Sequence, residues 1–260
     1  MKIIGIIQRK GGNGKSTASL NLAAAFASHG NRVLLVDTDD QKNTTSAIPT
    51  KRPIIKTVES LLLEEEAEIE DVAEPTMWEG IDLAAGSLGL SSAVACLDDL
   101  SDGHLALRNK LQAAKYSGRY NVCIIDTSPS LNMLTVNAMC ASDGIFIPLT
   151  SNYFSLEGLA QTLEAYRKIR EGLYKNLKLY GAAFVIHDGR TRLACEVHEK
   201  VKEQYPDLLC ETVIGRNIKI EEAQVKKQSI FSYAPEDRGA VQYRALAREL
   251  AERMFYDGSS

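Results

Sequence analysis

Three groups of residues in this chain have the types and spacing for phosphate chemistry. The first is Gln8-Arg9-Lys10-Gly11-Gly12-Asn13-Gly14-Lys15-Ser16-Thr17. Glycines let a backbone curl so that several N–H groups converge on phosphate oxygens. A lysine at the end of such a loop reaches the β- and γ-phosphates of a nucleotide, and the hydroxyl beside it ligates Mg²⁺. Lys15 and Ser16 stand at those places. The second group is Asp37-Thr38-Asp39-Asp40-Gln41. Carboxylates two residues apart point the same way while a strand persists, so Asp37 and Asp39 can serve a metal and a water together. The third is Val122-Cys123-Ile124-Ile125-Asp126. An apolar strand ending in a carboxylate is what a buried ligand to a Mg²⁺ shell requires.

These residues need a scaffold that brings strand ends and a helix start together. Residues 2–7 (KIIGII) read as a buried strand and the glycine-rich turn follows. Residues 15–29 read as a helix with Leu20, Leu22, Ala23 and Phe26 on its apolar side. Gly30 and Asn31 stop it, and residues 33–37 (VLLVD) form a second apolar strand. A strand–helix–strand unit with short links implies parallel pairing and a right-handed crossover. Further strands are expected at 82–85, 122–126, 145–149, 180–186 and 210–214. Helices are expected at 57–71, 104–116, 132–140, 156–171, 192–204 and 240–256. The acidic run from Glu64 to Asp71 reads as a solvated face. The expected fold is α/β: a mostly parallel twisted sheet with helices on both faces, in one domain spanning 1–260.

Bulk properties narrow the function classes. The 260 residues are 45% hydrophobic and 25% charged, ordinary for a globular protein. The formal net charge is -4, so any nucleic-acid contact must come from a local basic patch. The five cysteines are scattered without metal-ligand spacing, which fits free thiols, mostly buried, in a reducing cytoplasm. No stretch approaches the ~20 apolar residues of a membrane span, and no secretory leader is visible.

The phosphate loop departs from the general G-x-x-x-x-G-K-[ST] pattern. Arg9 stands where the first glycine belongs, and Lys10 precedes Gly11-Gly12. In this the chain resembles the deviant Walker A ATPases, the MinD/ParA superfamily of P-loop NTPases, and most closely the short ParA/Soj-type partition ATPases. VLLVDTDDQKNTTS is similar to the family's VLLxDxDPQxNxT, with Asp40 in place of Pro and Lys42 in place of Gly. VCIIDTSPS is similar to IIDxPPS, with Ser128 in place of the first Pro. Ile147-Pro148, Tyr153 through Leu159, Asp188 through Thr191, Thr212 through Asn217, Tyr233-Ala234-Pro235 and Arg238-Gly239-Ala240 follow in the family's order. Gly215 stands where the family usually has Pro.

The resemblance implies ATP and Mg²⁺ as cofactors. Lys10, Gly11, Gly12, Asn13, Gly14, Lys15, Ser16 and Thr17 would hold the nucleotide, and Arg216 and Asn217 would contact adenine. Ser16, Asp37 and Asp126 would organise the metal. Lys15 and Asp39 would act in hydrolysis, Asp39 by positioning water. Lys10 would reach across a homodimer to the partner's ATP. The family's DNA contacts fall on Arg190 and Lys219, with Arg192, Lys226 and Lys227 near them in sequence. The implied activity is a weak ATPase stimulated by a ParB-like partner. Its ATP-bound dimer would bind double-stranded DNA without sequence preference and position a plasmid, chromosome or other cargo. It would work in the cytoplasm on the nucleoid, and with no N-terminal helix-turn-helix it is not expected to be an operator-specific repressor. The alternative is a MinD-like membrane-cycling ATPase. That reading needs a basic amphipathic C-terminal helix, whereas Leu246, Leu250 and Met254 instead form a packing stripe and the tail 257–260 is no anchor. An iron–sulfur reductase lacks suitably placed cysteines. A metabolic ligase would need a small-molecule pocket.

Overall fold

The computed structural model describes residues 1–152 and 154–255. Tyr153 in the family-like stretch, Tyr256 at the end of the expected last helix and the tail 257–260 lie outside the described residues. The chain enters as β1 (Lys2–Ile6) and crosses through α1 (Lys15–Ser28) to β2 (Val33–Asp37). It continues through α2 (Asn43–Ala47), α3 (Val58–Leu63) and α4 (Ile69–Val72) to β3 (Ala73–Pro75) and β4 (Ile81–Ala84). Helices α5 (Leu90–Asp98) and α6 (Ala106–Tyr116) lead to β5 (Val122–Asp126). Helix α7 (Met133–Ala141) leads to β6 (Gly144–Leu149), and α8 (Ser155–Gly172) to β7 (Lys178–Phe184). The chain closes with α9 (Arg192–Gln204), α10 (Ile218–Val225), α11 (Ile230–Tyr233) and α12 (Arg238–Phe255).

The strands form one seven-stranded sheet in the order β3-β4-β2-β5-β1-β6-β7. Every neighbouring pair is parallel except β3 on β4. Strand side chains alternate between two cores. Ile3, Leu34, Cys123 and Ile145 enter one, whereas Ile4, Leu35, Ile124 and Phe146 enter the other. Apolar residues at successive positions are therefore buried on both faces, which is why these strands read as continuous apolar runs. Helix α1 packs on α12, whose Tyr243, Leu246, Leu250 and Met254 are buried. The C-terminal apolar stripe is thus already covered by the body of the protein.

The expected helix over 57–71 is two short helices. Lys110 Nζ donates to the carbonyls of Glu64, Glu65 and Ala67 at 3.2, 2.6 and 2.7 Å, which diverts acceptors a continuous helix would use. A capping box between Glu68 and Asp71 then opens α4. The expected strand at 210–214 is replaced by isolated bridges at Leu209 and Gly215. Between them, Glu249 of α12 accepts the N–H groups of Glu211 and Thr212 at 2.9 and 3.1 Å. Side chains satisfy a backbone that would otherwise seek a ladder. Edge strand β3 and helices α2, α5, α10 and α11 were not expected. Cys123, Cys140 and Cys210 are buried, as expected for most of the thiols, but Cys96 and Cys195 are exposed.

Candidate nucleotide site

Parallel register delivers the acidic residues. Ile6 of β1 pairs with Asp126 of β5, and Asp126 pairs with Asp37 of β2. Two carboxylates from residues 89 positions apart in sequence therefore end side by side at the carboxyl edge of the sheet, next to the phosphate loop. Both are buried. Burial pushes Asp126 above the usual carboxylate range; hydrogen bonds from Thr44, Ser16 and Ser19 and the charge of Lys15 work against that shift. Burial and the neighbouring Asp126 charge raise Asp37 as well, opposed by hydrogen bonds from Thr45 and Asp39. Asp39 is also buried and raised by burial, with Gln41 N donating to its Oδ1 at 3.1 Å.

The loop after β1 is tied down at its entry. Gln8 Nε2 donates to the Pro148 carbonyl at 3.3 Å, and Thr162 Oγ1 donates to Gln8 Oε1 at 3.0 Å. Gly12 and Gly14 take φ of 75° and 73°, where a side chain costs roughly 1–2 kcal/mol. Lys15 is buried, and its ammonium reaches the Lys10 carbonyl at 3.4 Å. Desolvation lowers the Lys15 pKa, and the charges of Asp126 and Asp39 oppose this. Lys10 is half-buried, and its ammonium lies 3.7 Å from the centroid of the Phe154 ring. The loop, Asp39, Gln41, Pro129 and Gln224 enclose a cleft of about 450 Å³.

The sequence reading missed several side chains here. Thr44 Oγ1 donates to Asp126 Oδ2 at 2.7 Å, and Ser19 Oγ donates to Asp126 Oδ1 at 2.8 Å. The Thr45 hydroxyl and N–H both donate to Asp37 Oδ2, at 2.6 and 2.8 Å. Ser19 sits one helical turn beyond Ser16, a spacing visible in sequence; the threonine clamps required the folded switch segment. Lys42, where the family has glycine, takes φ 54°. The position demands the left-handed region, which a lysine enters at a cost. Gly86 packs against the same segment: a Cβ there would lie 2.9 Å from the Asp39 carbonyl oxygen and 3.0 Å from that of Asp37. Gly86→Ala is expected to displace the carboxylate loop and destabilise the protein by about 1–3 kcal/mol, read as a lowered Tm.

A larger cleft of about 700 Å³ lies beyond β7, lined by His187, Asp188, Arg190, Arg216, Lys219 and Arg238 among others. It gathers the residues expected at adenine, Arg216 and Asn217, with two of those expected at DNA, Arg190 and Lys219. Arg192, Lys226 and Lys227 are outside its lining. Arg190 pairs with Asp188 and Lys219 with Glu222, whereas Arg216 and Arg238 have no ion pair among the described residues. The Asn217 side chain caps α10, accepting from Lys219 N at 2.8 Å, and donates to Asp237 at 2.6 Å. The Arg238 guanidinium would lie 3.3 Å from a Cβ at Gly215 and occupies the wall where the family carries a proline.

The donor set fits a nucleotide with a hard divalent cation. Among the described residues no cluster of three or more His, Cys, Asp or Glu could enclose a metal by itself. Mg²⁺ characteristically keeps waters and phosphate oxygens and takes only one or two protein carboxylates. Asp37, Asp126 and the Ser16 hydroxyl supply that kind of partial shell. Asn13 in the loop is buried with Nδ2 unpaired, a donor suited to an anion.

A protein-family model described as an AAA domain matches residues 1–179. The sporulation initiation inhibitor protein Soj of Bacillus subtilis is 38% identical over 96% of this chain and 98% of its own length. The chromosome partitioning protein ParA of Caulobacter vibrioides is 34% identical over 97% of this chain and 95% of its own. The structure of cobyrinic acid a,c-diamide synthase from Mycobacterium smegmatis, with bound ADP and magnesium, superposes with a TM-score of 0.82 at 28% identity, covering 97% and 94% of the two chains.

Proposed function

Because this chain belongs to the ParA/Soj family of partition ATPases, within the P-loop ATPases, we propose that it hydrolyses ATP with Mg²⁺ and uses the ATP-bound dimer to hold DNA. The observation that carries the proposal is the convergence of Lys15, Ser16, Asp37, Asp39 and Asp126 at the carboxyl ends of β1, β2 and β5. The loop N–H groups and the start of α1 bind the phosphates. Lys15 neutralises the β- and γ-phosphate oxygens from a buried position. Ser16, Asp37 and Asp126 would hold Mg²⁺, which would supply positive charge against the phosphates. Asp39 orients the attacking water and accepts its proton; its raised pKa brings it nearer to the working pH. Lys10 of the partner subunit completes the site, as an arginine finger does. In the single chain Lys10 rests on Phe154, a contact worth about 0.5–1 kcal/mol at an exposed site, small enough to give up on dimerisation.

The basic cleft supports the DNA half of this reading. Its lining carries four cationic side chains against Asp188 alone. Phosphate contacts of this kind are blind to sequence and sensitive to salt. Arg216 and Asn217, the residues expected at adenine, line the same cleft. We assign the stimulation of hydrolysis to a ParB-like protein and place the protein in the cytoplasm, on the nucleoid. Membrane cycling loses support because the apolar stripe of α12 is buried.

Binding of non-specific duplex DNA at ~100 mM salt, where contacts are screened but persist, tests the proposal. ATP is expected to support binding and ADP not. Arg190→Ala is expected to weaken it and to lower the slope of log K against log salt by about one per subunit. An ATP-dependent dimer that ignores DNA would sink the DNA reading.

A further inference from the structure

We propose that Gln224 ties nucleotide occupancy of the phosphate loop to α10, the helix that presents Lys219 to the basic cleft; this rests on the reading that ATP occupies the loop. Gln224 Nε2 donates to Thr17 Oγ1 at 3.1 Å, a contact between residues 207 positions apart. Both residues line the nucleotide cleft. At the other end of α10, Asn217 caps the helix beside Lys219, inside the basic cleft. Helix α10 spans eight residues, so it is a strut of about 12 Å with one end in each cleft. Ile220 and Ala223 bury its inner face, which keeps the helix moving as a body. Its end is also marked: Trp78 Nε1 donates to the Lys227 carbonyl at 2.9 Å, just past the last turn.

The chemistry of the Thr17 hydroxyl makes the contact responsive. A helical Ser or Thr commonly turns its proton back to the carbonyl four residues earlier. Here Thr17 Oγ1 accepts the Gln224 amide proton on a lone pair, and its own O–H can donate into the cleft that it lines. A phosphate oxygen that takes this proton polarises the hydroxyl and makes it a stronger acceptor for Gln224. Phosphate in the loop therefore tightens the hold on the last turn of α10. Gln224 acts through Thr17 and is a positioning residue. The whole worth of one neutral hydrogen bond, roughly fivefold, is the upper bound of the coupling.

The test uses the full chain at saturating ATP, with ATP binding measured separately by calorimetry. Trp78 is the only tryptophan in the chain, so its emission reports on the end of α10. Amide hydrogen exchange over residues 218–228 reports on the helix itself. In the wild type, ATP is expected to change Trp78 emission and to slow that exchange by up to about fivefold. Gln224→Ala and Thr17→Val should lose both responses at saturation, whereas Thr17→Ser, which keeps the hydroxyl, should retain them. The Thr17 pair decides the matter even where Gln224→Ala folds poorly. ATP binding without a response of α10 in the wild type, or an undiminished response in Gln224→Ala or Thr17→Val, overturns the coupling and leaves the ATP reading standing. No ATP binding by the wild type, seen directly by calorimetry, overturns both.

Discussion

Replacing Lys15 with alanine is expected to weaken ATP binding about 100-fold and to cut turnover by about 10³-fold or more. The side chain is buried at the base of the nucleotide cleft, and it is the cation that both Asp126 and Asp39 feel. Its loss removes a charge-assisted contact to the phosphates where solvent does little to screen it. It also leaves two carboxylates facing the phosphates without a counter-charge, so the electrostatic penalty adds to the lost bond. Folding should tolerate the change, because the carboxylates keep the hydroxyl donors Thr44, Thr45 and Ser19 and their pKa values are raised already. Calorimetric ATP binding and steady-state phosphate release are the measurements. Undiminished ATP binding by Lys15→Ala would mean that the nucleotide sits elsewhere.

Asp39→Ala is expected to behave in the opposite way towards ATP. Turnover should fall by about 10²–10⁴-fold, the usual contribution of a positioned base. ATP binding should hold or tighten, because the substitution removes a negative charge from the lining of a cleft that must accept a polyphosphate. The carboxyl groups of Asp37 and Asp126, together with the Thr44 and Thr45 clamps, do not depend on the Asp39 side chain, although Asp39 N donates to Asp37 Oδ1 through the backbone. The variant should therefore rest in the ATP state and retain ATP-dependent DNA binding, whereas Arg190→Ala weakens it. Asp39→Ala with full turnover would remove Asp39 from the reaction. Asp39→Ala that cannot bind ATP would instead make it a structural member of the switch segment.

The two variants divide the site by charge. Lys15 acts on ground-state binding and more strongly on the transition state, so both affinity and rate fall. Asp39 acts only where a proton moves, so rate falls alone. Such a split in kinetic parameters identifies the role of each residue more securely than loss of activity does.

The phosphate loop, the strand that feeds it, the helix it opens and the three acidic residues around it were legible in the amino-acid order alone. These follow from local rules: glycines at positions of positive φ, apolar runs of strand length, a carboxylate at a strand end. The alternation of strands and helices was legible for the same reason, since each element signals its own period. Tertiary structure decided what depends on chain segments meeting. Register between β2 and β5 set Asp37 beside Asp126, and the fold of α2 laid Thr44 and Thr45 onto them. Residues 210–214 have strand composition, but Glu249 from α12 takes the N–H groups of Glu211 and Thr212, so pairing with β7 is interrupted to isolated bridges at Leu209 and Gly215. Residues 57–71 have helix composition, but Lys110 diverts their carbonyls. The joining of Arg216 and Arg238 to Arg190 and Lys219 around one cleft, and the reach of Gln224 to Thr17, carry no local signal in sequence. Side chains far apart along the chain made those choices by satisfying backbone and charge that local preference left open.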